Sequence, residues 1–129
     1  MINSGAYKYI NVLDKAADAS WLRNEVINNN IANATTPNYK RQDVQFESYL
    51  MTALAGENSL DESVASIDLS DITATTYTEY AGLSYRMDGN NVDIATENVE
   101  LAKNQLRYNT LVDALNKEFN GIKTVLTSK

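Results

Sequence analysis

Cysteine and histidine are both absent from the sequence, and glycine and proline are scarce, at five and one among 129 residues. Without cysteine or histidine the chain can form no disulfide, has no thiol nucleophile and lacks the usual zinc ligands. It also lacks the side chain that most often transfers protons at neutral pH. We therefore expect neither a cofactor nor a metal site. The scarcity of glycine and proline favours helix over sheet.

Long apolar runs are also missing. No stretch approaches the roughly 18 apolar residues of a membrane-spanning helix, so we expect no membrane span. The first twenty residues, MINSGAYKYINVLDKAADAS, contain no basic segment followed by an apolar run. We therefore expect no cleavable secretory signal, and another route of export if the protein leaves the cytoplasm.

The net charge of −6 conceals an acidic middle between two basic ends. Residues 1–41 carry five Lys or Arg and three Asp or Glu, residues 42–100 carry one and twelve, and residues 101–129 carry five and two. This distribution argues against nucleic acid as a partner, which would require a basic patch on a folded face. For the middle we favour a solvated, partly disordered insertion over an electrostatic docking surface.

The acidic and hydroxyl side chains give no sign of catalysis. The spacing of the carboxylates in the middle matches no calcium-binding loop, which needs glycine at its sixth position and a closing glutamate. Serine and threonine are numerous, but no histidine, cysteine or G-x-S-x-G element accompanies them. We predict that the protein is not an enzyme. The carboxylates in question are Asp61, Glu62, Asp68 and Asp71.

An apolar pattern predicts a long helix from about Ala6 to Ala34. Its apolar positions recur in alternating steps of four and three, which makes a heptad seam. Asn24 on this seam either fixes register, as a buried asparagine does in coiled coils, or is a polar position at its edge. Trp21 lies off the seam and is a candidate for a contact between subunits. The seam comprises Ile10, Leu13, Ala17, Ser20, Asn24, Ile27, Ile31 and Ala34.

A second long helix is predicted from about Asp93 to Thr127, and it has two apolar seams. Since one seam suffices for a helix in a monomer, we expect one to pack on the N-terminal helix and the other on something else, such as another subunit. Gly121 costs this helix roughly 1 kcal/mol relative to alanine. It is either a tolerated surface residue or a point of close approach by a neighbouring helix. The first seam contains Leu101, Tyr108, Leu111, Leu115, Ile122 and Val125, and the second contains Val99, Ala102, Leu106, Val112, Phe119 and Leu126.

Between these helices the patterns are weaker. The stretch VQFESYLMTALAG is consistent with a short amphipathic helix capped by Gly56, whereas the Ser/Thr/Asp-rich stretch after it alternates only weakly. We expect one structural domain formed by residues 1–41 and 93–129, with residues 42–92 inserted as an acidic loop or extended segment. Extended segments are predicted around an Asp88–Gly89 turn, with Leu83, Tyr85 and Met87 on one face and Val92 and Ile94 returning.

The only proline marks a turn after the first helix. In Thr36-Pro37-Asn38-Tyr39, proline presets φ at the second position of a type II turn. The third position needs a positive φ, and asparagine is the best substitute for glycine there. Pro37 also disfavours helical geometry at Thr36, so the helix should end near Ala34 or Thr35. Two amides of the final helical turn, from Asn30 and Asn33, can bond unpaired carbonyls or the turn backbone.

This stretch closely resembles the signature NNIAN-x-x-TPGYK of bacterial flagellar rod and hook proteins. The segment from DGNNVD to the EFNG near the other end resembles the corresponding end of the proximal-rod members of the basal-body rod family. The resemblance covers about the first 45 and the last 45 residues. Asn38 stands where the signature has glycine, a departure that the turn explains. The matching residues are Asn30, Ile31, Ala32, Asn33, Thr36, Pro37, Tyr39 and Lys40.

The resemblance implies a mainly α fold in which the long terminal helices pack as a coiled-coil-like hairpin beside an irregular or partly extended acidic middle. It implies a structural subunit of the periplasm-crossing rod, exported unfolded by the flagellar type III apparatus and transmitting torque from motor to hook. The implied partners are copies of itself, other rod proteins and components of the rod base and export gate, with no nucleic acid.

The alternatives are another short rod subunit and a soluble helical export chaperone or adaptor. Under the rod hypothesis we expect an assembly interface containing Ile10, Leu13, Trp21, Ile27, Ile31, Leu101, Leu106, Tyr108, Leu115, Phe119, Gly121, Ile122 and Leu126.

Overall fold

A computed structural model of the chain describes residues 4–56, 59–80 and 86–128. Two long helices lie near the ends of the chain, and their bounds agree with the predicted bounds to within about two residues. The mainly helical fold class is confirmed. In chain order the elements are α1 (Ser4–Ala32), β1 (Gln42–Gln45), α2 (Glu47–Leu54), α3 (Leu60–Ser66), β2 (Thr75–Thr78) and α4 (Ile94–Thr127).

The end of α1 and the start of α4 both follow from local chemistry. After α1 the predicted turn forms, because the Tyr39 N–H donates to the Thr36 carbonyl at 3.3 Å and Asn38 has a φ of 61°. The Asp93 carboxylate caps α4 by accepting from the backbone N–H of Ala95 at 3.0 Å and of Thr96 at 3.4 Å. Such a cap satisfies N–H groups that have no partner within the helix.

The two long helices pack against each other along much of their length. The Asn104 side-chain amide donates to the Ser20 carbonyl at 2.7 Å, and Asn30 lies beside Glu97. Residues later in α1 therefore contact residues earlier in α4, so the two helices are antiparallel. The 34 residues of α4 extend about 51 Å at 1.5 Å per residue.

The middle of the chain supplies most of a hydrophobic core that packs on a second face of α1. Ala19 lies on this face, beside the seam that packs on α4, and it contacts a cluster formed by Phe46, Ile67 and Ile72. Ile72 is completely buried. The helix α1 therefore has two buried faces, of which the sequence analysis identified one.

A short antiparallel sheet completes the fold. The β1 strand pairs with β2 in a register that runs from Gln42↔Thr78 to Gln45↔Thr75. One further bond continues the ladder, because the Glu79 N–H donates to the Arg41 carbonyl at 2.9 Å. The sheet places residues 41 and 79 next to the start of α4.

The remaining expectations for the middle have mixed outcomes. The short helix is present as α2, and Gly56 follows it with a positive φ of 102°. The Asp88–Gly89 turn is present as well, with φ of 75° at Gly89. The returning extended segment is wrong, because Ile94 is instead the first residue of α4 under the Asp93 cap.

Leu83 and Tyr85 lie outside the described residues. The division into domains stays a prediction. Within the described ranges, none of the helices combines the length and the apolar character needed to cross a bilayer.

Candidate functional site

The two segments that carry the family resemblance meet at one end of the helix pair. The Asn38 N–H donates to the Asp88 carbonyl at 2.7 Å, and the Asn91 N–H donates to the Tyr39 carbonyl at 3.4 Å. The Lys40 ammonium donates to the Gly89 carbonyl. We call this contact between residues 30–41 and 88–97 the signature junction.

Asn30 occupies the centre of the signature junction and is completely buried. Its Oδ1 accepts from the Gln42 N–H at 2.9 Å, and its Nδ2 donates to the Gln42 carbonyl at 2.8 Å. The amide therefore pairs with both backbone groups of Gln42 in β1, as a residue of a neighbouring strand would. The same Nδ2 donates to Glu97 Oε2 at 3.1 Å, and the Tyr39 hydroxyl donates to Asn30 Oδ1 at 3.2 Å. One side chain thus joins α1, β1 and α4.

The buried charge of the signature junction belongs to Glu97, which is completely enclosed on the first turns of α4. Arg41 Nε donates to its Oε1 at 2.6 Å, and the same guanidinium donates to Glu79 and to Asp43. Burial disfavours the charged form of Arg41, but its hydrogen bonds to Glu97 and Glu79 outweigh burial and raise its pKa. Arg41 therefore remains charged inside the fold.

Asn90 closes the carboxyl end of α1 and was not singled out by the sequence analysis. This buried side chain donates to the carbonyls of Asn33 at 2.8 Å and Thr36 at 2.9 Å. Its Oδ1 accepts from the Val92 N–H at 2.7 Å. Both carbonyls also accept a backbone N–H, from Thr36 and from Tyr39, so Asn90 gives each of them a second partner.

A second ionic contact links α4 to the middle of the chain. Glu47 at the start of α2 accepts from Arg23 Nη1 at 2.5 Å and from Arg107 Nη1 at 2.8 Å. The hydrogen bond from Arg23 lowers the pKa of the Glu47 carboxyl. Both Glu47 and Arg107 are about half exposed, so we expect the ion pair between these two residues to contribute little to stability.

Gly89 is a position where the signature junction requires glycine, and Gly89→Ala tests it. The residue has a φ of 75°, and an added Cβ would lie 2.6 Å from Asn38 Oδ1. A left-handed backbone costs an L-residue about 1–2 kcal/mol. We expect the variant to lose at least that much free energy of unfolding, measured in urea.

Gly121→Ala is the matched control, because Gly121 is helical and an added Cβ there would meet nothing within 4 Å of the chain. It should stabilise the isolated protein by up to about 1 kcal/mol. Equal effects from the two substitutions would contradict the role assigned to Gly89.

The side of α4 that faces away from α1 carries exposed apolar residues. Glu97 and Asn104 are buried, and Val99 and Leu106 each follow one of them by two residues, about 200° around the helix. Leu106 is 69% exposed and Val99 is 53% exposed. Farther along, Phe119 and Leu126 are 56% and 66% exposed, but they lie about 40° around the helix from Glu97 and Asn104 and so continue the side that packs on α1. In the first seam, Leu101, Tyr108, Leu111, Leu115 and Ile122 are half-buried, whereas Val125 is 69% exposed.

The other residues of the expected interface fall into two groups. Ile10 and Ile27 are buried within the chain, and Leu13 and Ile31 are half-buried. Trp21 is 63% exposed, and its ring centroid lies 6.1 Å from that of Tyr108. Of the signature residues, Thr36, Pro37 and Ala32 are exposed. The buried group can act in assembly only by holding the helix pair together.

Comparison with known proteins gives consistent relatives. The chain is 40% identical over 117 residues to the flagellar basal body rod protein FlgB of Bacillus subtilis, covering 89% of this chain and 90% of that protein. It is 36% identical over 115 residues to FlgB of Escherichia coli, covering 82% and 83%. It is 30% identical over 132 residues to FlgB of Borrelia hermsii, covering 94% and 92%. No protein-family model matches the chain.

Proposed function

Because the chain belongs to the FlgB family of flagellar basal body rod proteins, we propose that it is a non-catalytic structural subunit of the proximal rod. In this proposal its neighbours are copies of itself, other rod proteins, and components of the rod base and export gate. It reaches the periplasm-spanning rod through the flagellar export apparatus. The long terminal helices form the wall of a tube that carries torque.

The exposed apolar side of α4 carries this proposal. Val99 and Leu106 are both more than half exposed on a helix whose other side packs on α1, and Phe119 and Leu126 are also more than half exposed nearer the end of that helix. Large apolar side chains that recur along one element mark contact surfaces for other molecules. In a subunit that functions only within an assembly, such a surface would be exposed to solvent until neighbouring subunits bind to it.

The signature junction supplies the stiffness that a drive shaft needs. Asn30, Asn90 and Glu97 are completely buried and link residues separated by more than 50 positions. A polar network of this kind holds its members in one arrangement, because each buried group loses a partner if the segments slide. Torque applied to one terminal helix would then pass to the other without a change of register.

Localisation and stoichiometry test the proposal. In cells that make an epitope-tagged copy, we expect the chain in purified hook–basal-body particles, in several copies per particle. A chaperone would instead remain in the cytosol as a one-to-one complex with an exported protein. Recovery of the chain only in such a complex would refute the rod assignment.

A further inference from the structure

A cleft of about 260 Å³ lies between α1 and α4, and its lining combines aromatic rings with side-chain amides. The rings are those of Trp21 and Tyr108, whose planes are tilted by 50° at a centroid separation of 6.1 Å. Apart from Ser20, the other lining side chains are carboxamides. We call this site the amide cleft, and its carboxamides belong to Asn24, Asn104, Gln105 and Asn109.

Two buried oxygens of the amide cleft lack a hydrogen-bond donor. Asn104 is 2% exposed, and its Nδ2 donates to the Ser20 carbonyl at 2.7 Å. Its Oδ1 and that of Asn24 accept no hydrogen bond from any residue that the structure describes. Among the described residues, these are the only buried side-chain oxygens or nitrogens without a partner. Because an unpaired buried acceptor costs stability, such atoms are expected at functional sites.

The polar lining favours a neutral ligand that carries both donors and acceptors. In the described part of the chain, no charged side chain lines the amide cleft. A charged ligand would therefore lose hydration without contacting an opposite charge. A carboxamide has N–H donors and an acceptor oxygen, so it complements a hydroxyl group, which both donates and accepts. Hydroxyl donors would also supply the partners that Asn24 and Asn104 lack.

The aromatic lining requires that the same ligand have an apolar face. Trp21 is 63% exposed, so much of its ring is open to contact. A sugar ring has both properties, because its C–H groups form an apolar face and its hydroxyls project from its edge. The volume of the amide cleft is slightly below the ~300–1,000 Å³ of typical small-molecule sites, which suits a single ring.

We infer that the amide cleft binds one ring of a neutral sugar. The ring packs on Trp21, and its hydroxyls donate to the Oδ1 atoms of Asn24 and Asn104. Gln105 and Asn109 are exposed, and exposed side chains change rotamer within nanoseconds, so they can move aside and admit the ring to these oxygens. This binding activity is additional to the proposed rod function and does not depend on it.

The fluorescence of Trp21 tests the inference, because Trp21 is the only tryptophan in the chain. Methyl β-glucoside and N-acetylglucosamine serve as neutral probes. At least one should change the emission saturably, with half-saturation on the order of 1–10 mM. Its β-1,4-linked dimer should bind at least as tightly if the natural ligand is a glycan chain, and more weakly if it is a free sugar. No saturable change with either sugar would overturn the inference.

A cation is the alternative occupant, because Asp18 and Glu25 lie one helical turn before and after Trp21. N-acetylarginine amide tests this alternative, since its guanidinium can stack on an aromatic ring and donate to carbonyl oxygens. We expect no saturation by this probe in the range that saturates the sugar. Tighter binding of the arginine probe than of either sugar would show that the cleft binds a cationic side chain instead.

Two matched substitutions on α1 locate the binding. Asn24→Leu should weaken sugar binding at least fivefold, yet the variant should be no less resistant to urea, because the lost oxygen has no donor in the described chain. Asn28→Leu makes the same change one turn later, at an exposed position outside the lining, and should leave the half-saturation unchanged. Equal sugar affinity in the Asn24→Leu and Asn28→Leu variants would contradict the inference.

Discussion

Arg41→Ala should lower the free energy of unfolding by about 3–5 kcal/mol, because it leaves a buried carboxylate without its counter-ion. The side chain of Glu97 is 1% exposed, and that of Arg41 is 16% exposed at an Nε–Oε1 distance of 2.6 Å. In the variant, Asn30 remains as the only side-chain donor to Glu97 among the bonds described above. Urea unfolding followed by circular dichroism measures the loss.

Two further variants show whether the loss arises from the unpaired charge. Arg107→Ala removes an exposed arginine from Glu47 and should change stability by no more than about 1 kcal/mol. In a Glu97→Gln background, Arg41→Ala should have a much smaller effect, because the remaining buried group is then neutral. Similar effects of Arg41→Ala in both backgrounds would show that the ion pair does not stabilise the signature junction.

Leu106→Asp should leave the protein folded and exported but abolish rod completion, so that cells form no hook and do not swim. Leu106 is mostly exposed in the chain, so the new charge remains in water until a neighbour covers it. Burying a charge in an apolar contact costs far more than the ~2–5 kcal/mol of truncating a buried leucine to alanine. The amount of the chain secreted to the medium and the number of hooks per cell are measured separately.

Companion substitutions separate assembly from folding. Phe119→Asp should behave like Leu106→Asp, whereas Leu115→Asp should also destabilise the isolated chain, because Leu115 is half-buried on the side of α4 that packs on α1. Ala65→Asp on the exposed part of α3 serves as the control and should swim. Normal swimming by all three α4 variants would show that this helix is not an assembly interface.

The features predicted correctly from sequence are those that local chemistry determines. The helices α1 and α4 carry apolar patterns over many turns, and a helical repeat of that length is not compatible with a strand or a loop. Pro37 and Asn38 restrict the backbone so strongly that the turn and the positive φ at Asn38 follow from two residues. The exposure of Val99 and Leu106 in the second seam also follows from pattern, whereas Val112 of that seam is half-buried and Val125 of the first seam is exposed.

The missed features depend on contacts between distant segments. Asn90 and Glu97 are ordinary polar residues in the sequence, and only the folded chain shows that both are buried. Ile72 lies in an acidic stretch whose composition suggested solvation, but α1 supplies the apolar surface that buries it. One local signal was available for α3, because Ser59 and Glu62 have the spacing of a capping box and the Ser59 hydroxyl accepts from the Glu62 N–H at 3.2 Å.

A reconstruction of purified basal bodies at side-chain resolution tests the central claim most directly. The account predicts that the antiparallel α1–α4 pair of this chain lies in the wall of the proximal rod, with Val99 and Leu106 buried against an adjacent subunit. Absence of the pair from the rod would contradict the account. So would a rod in which Val99 and Leu106 face water.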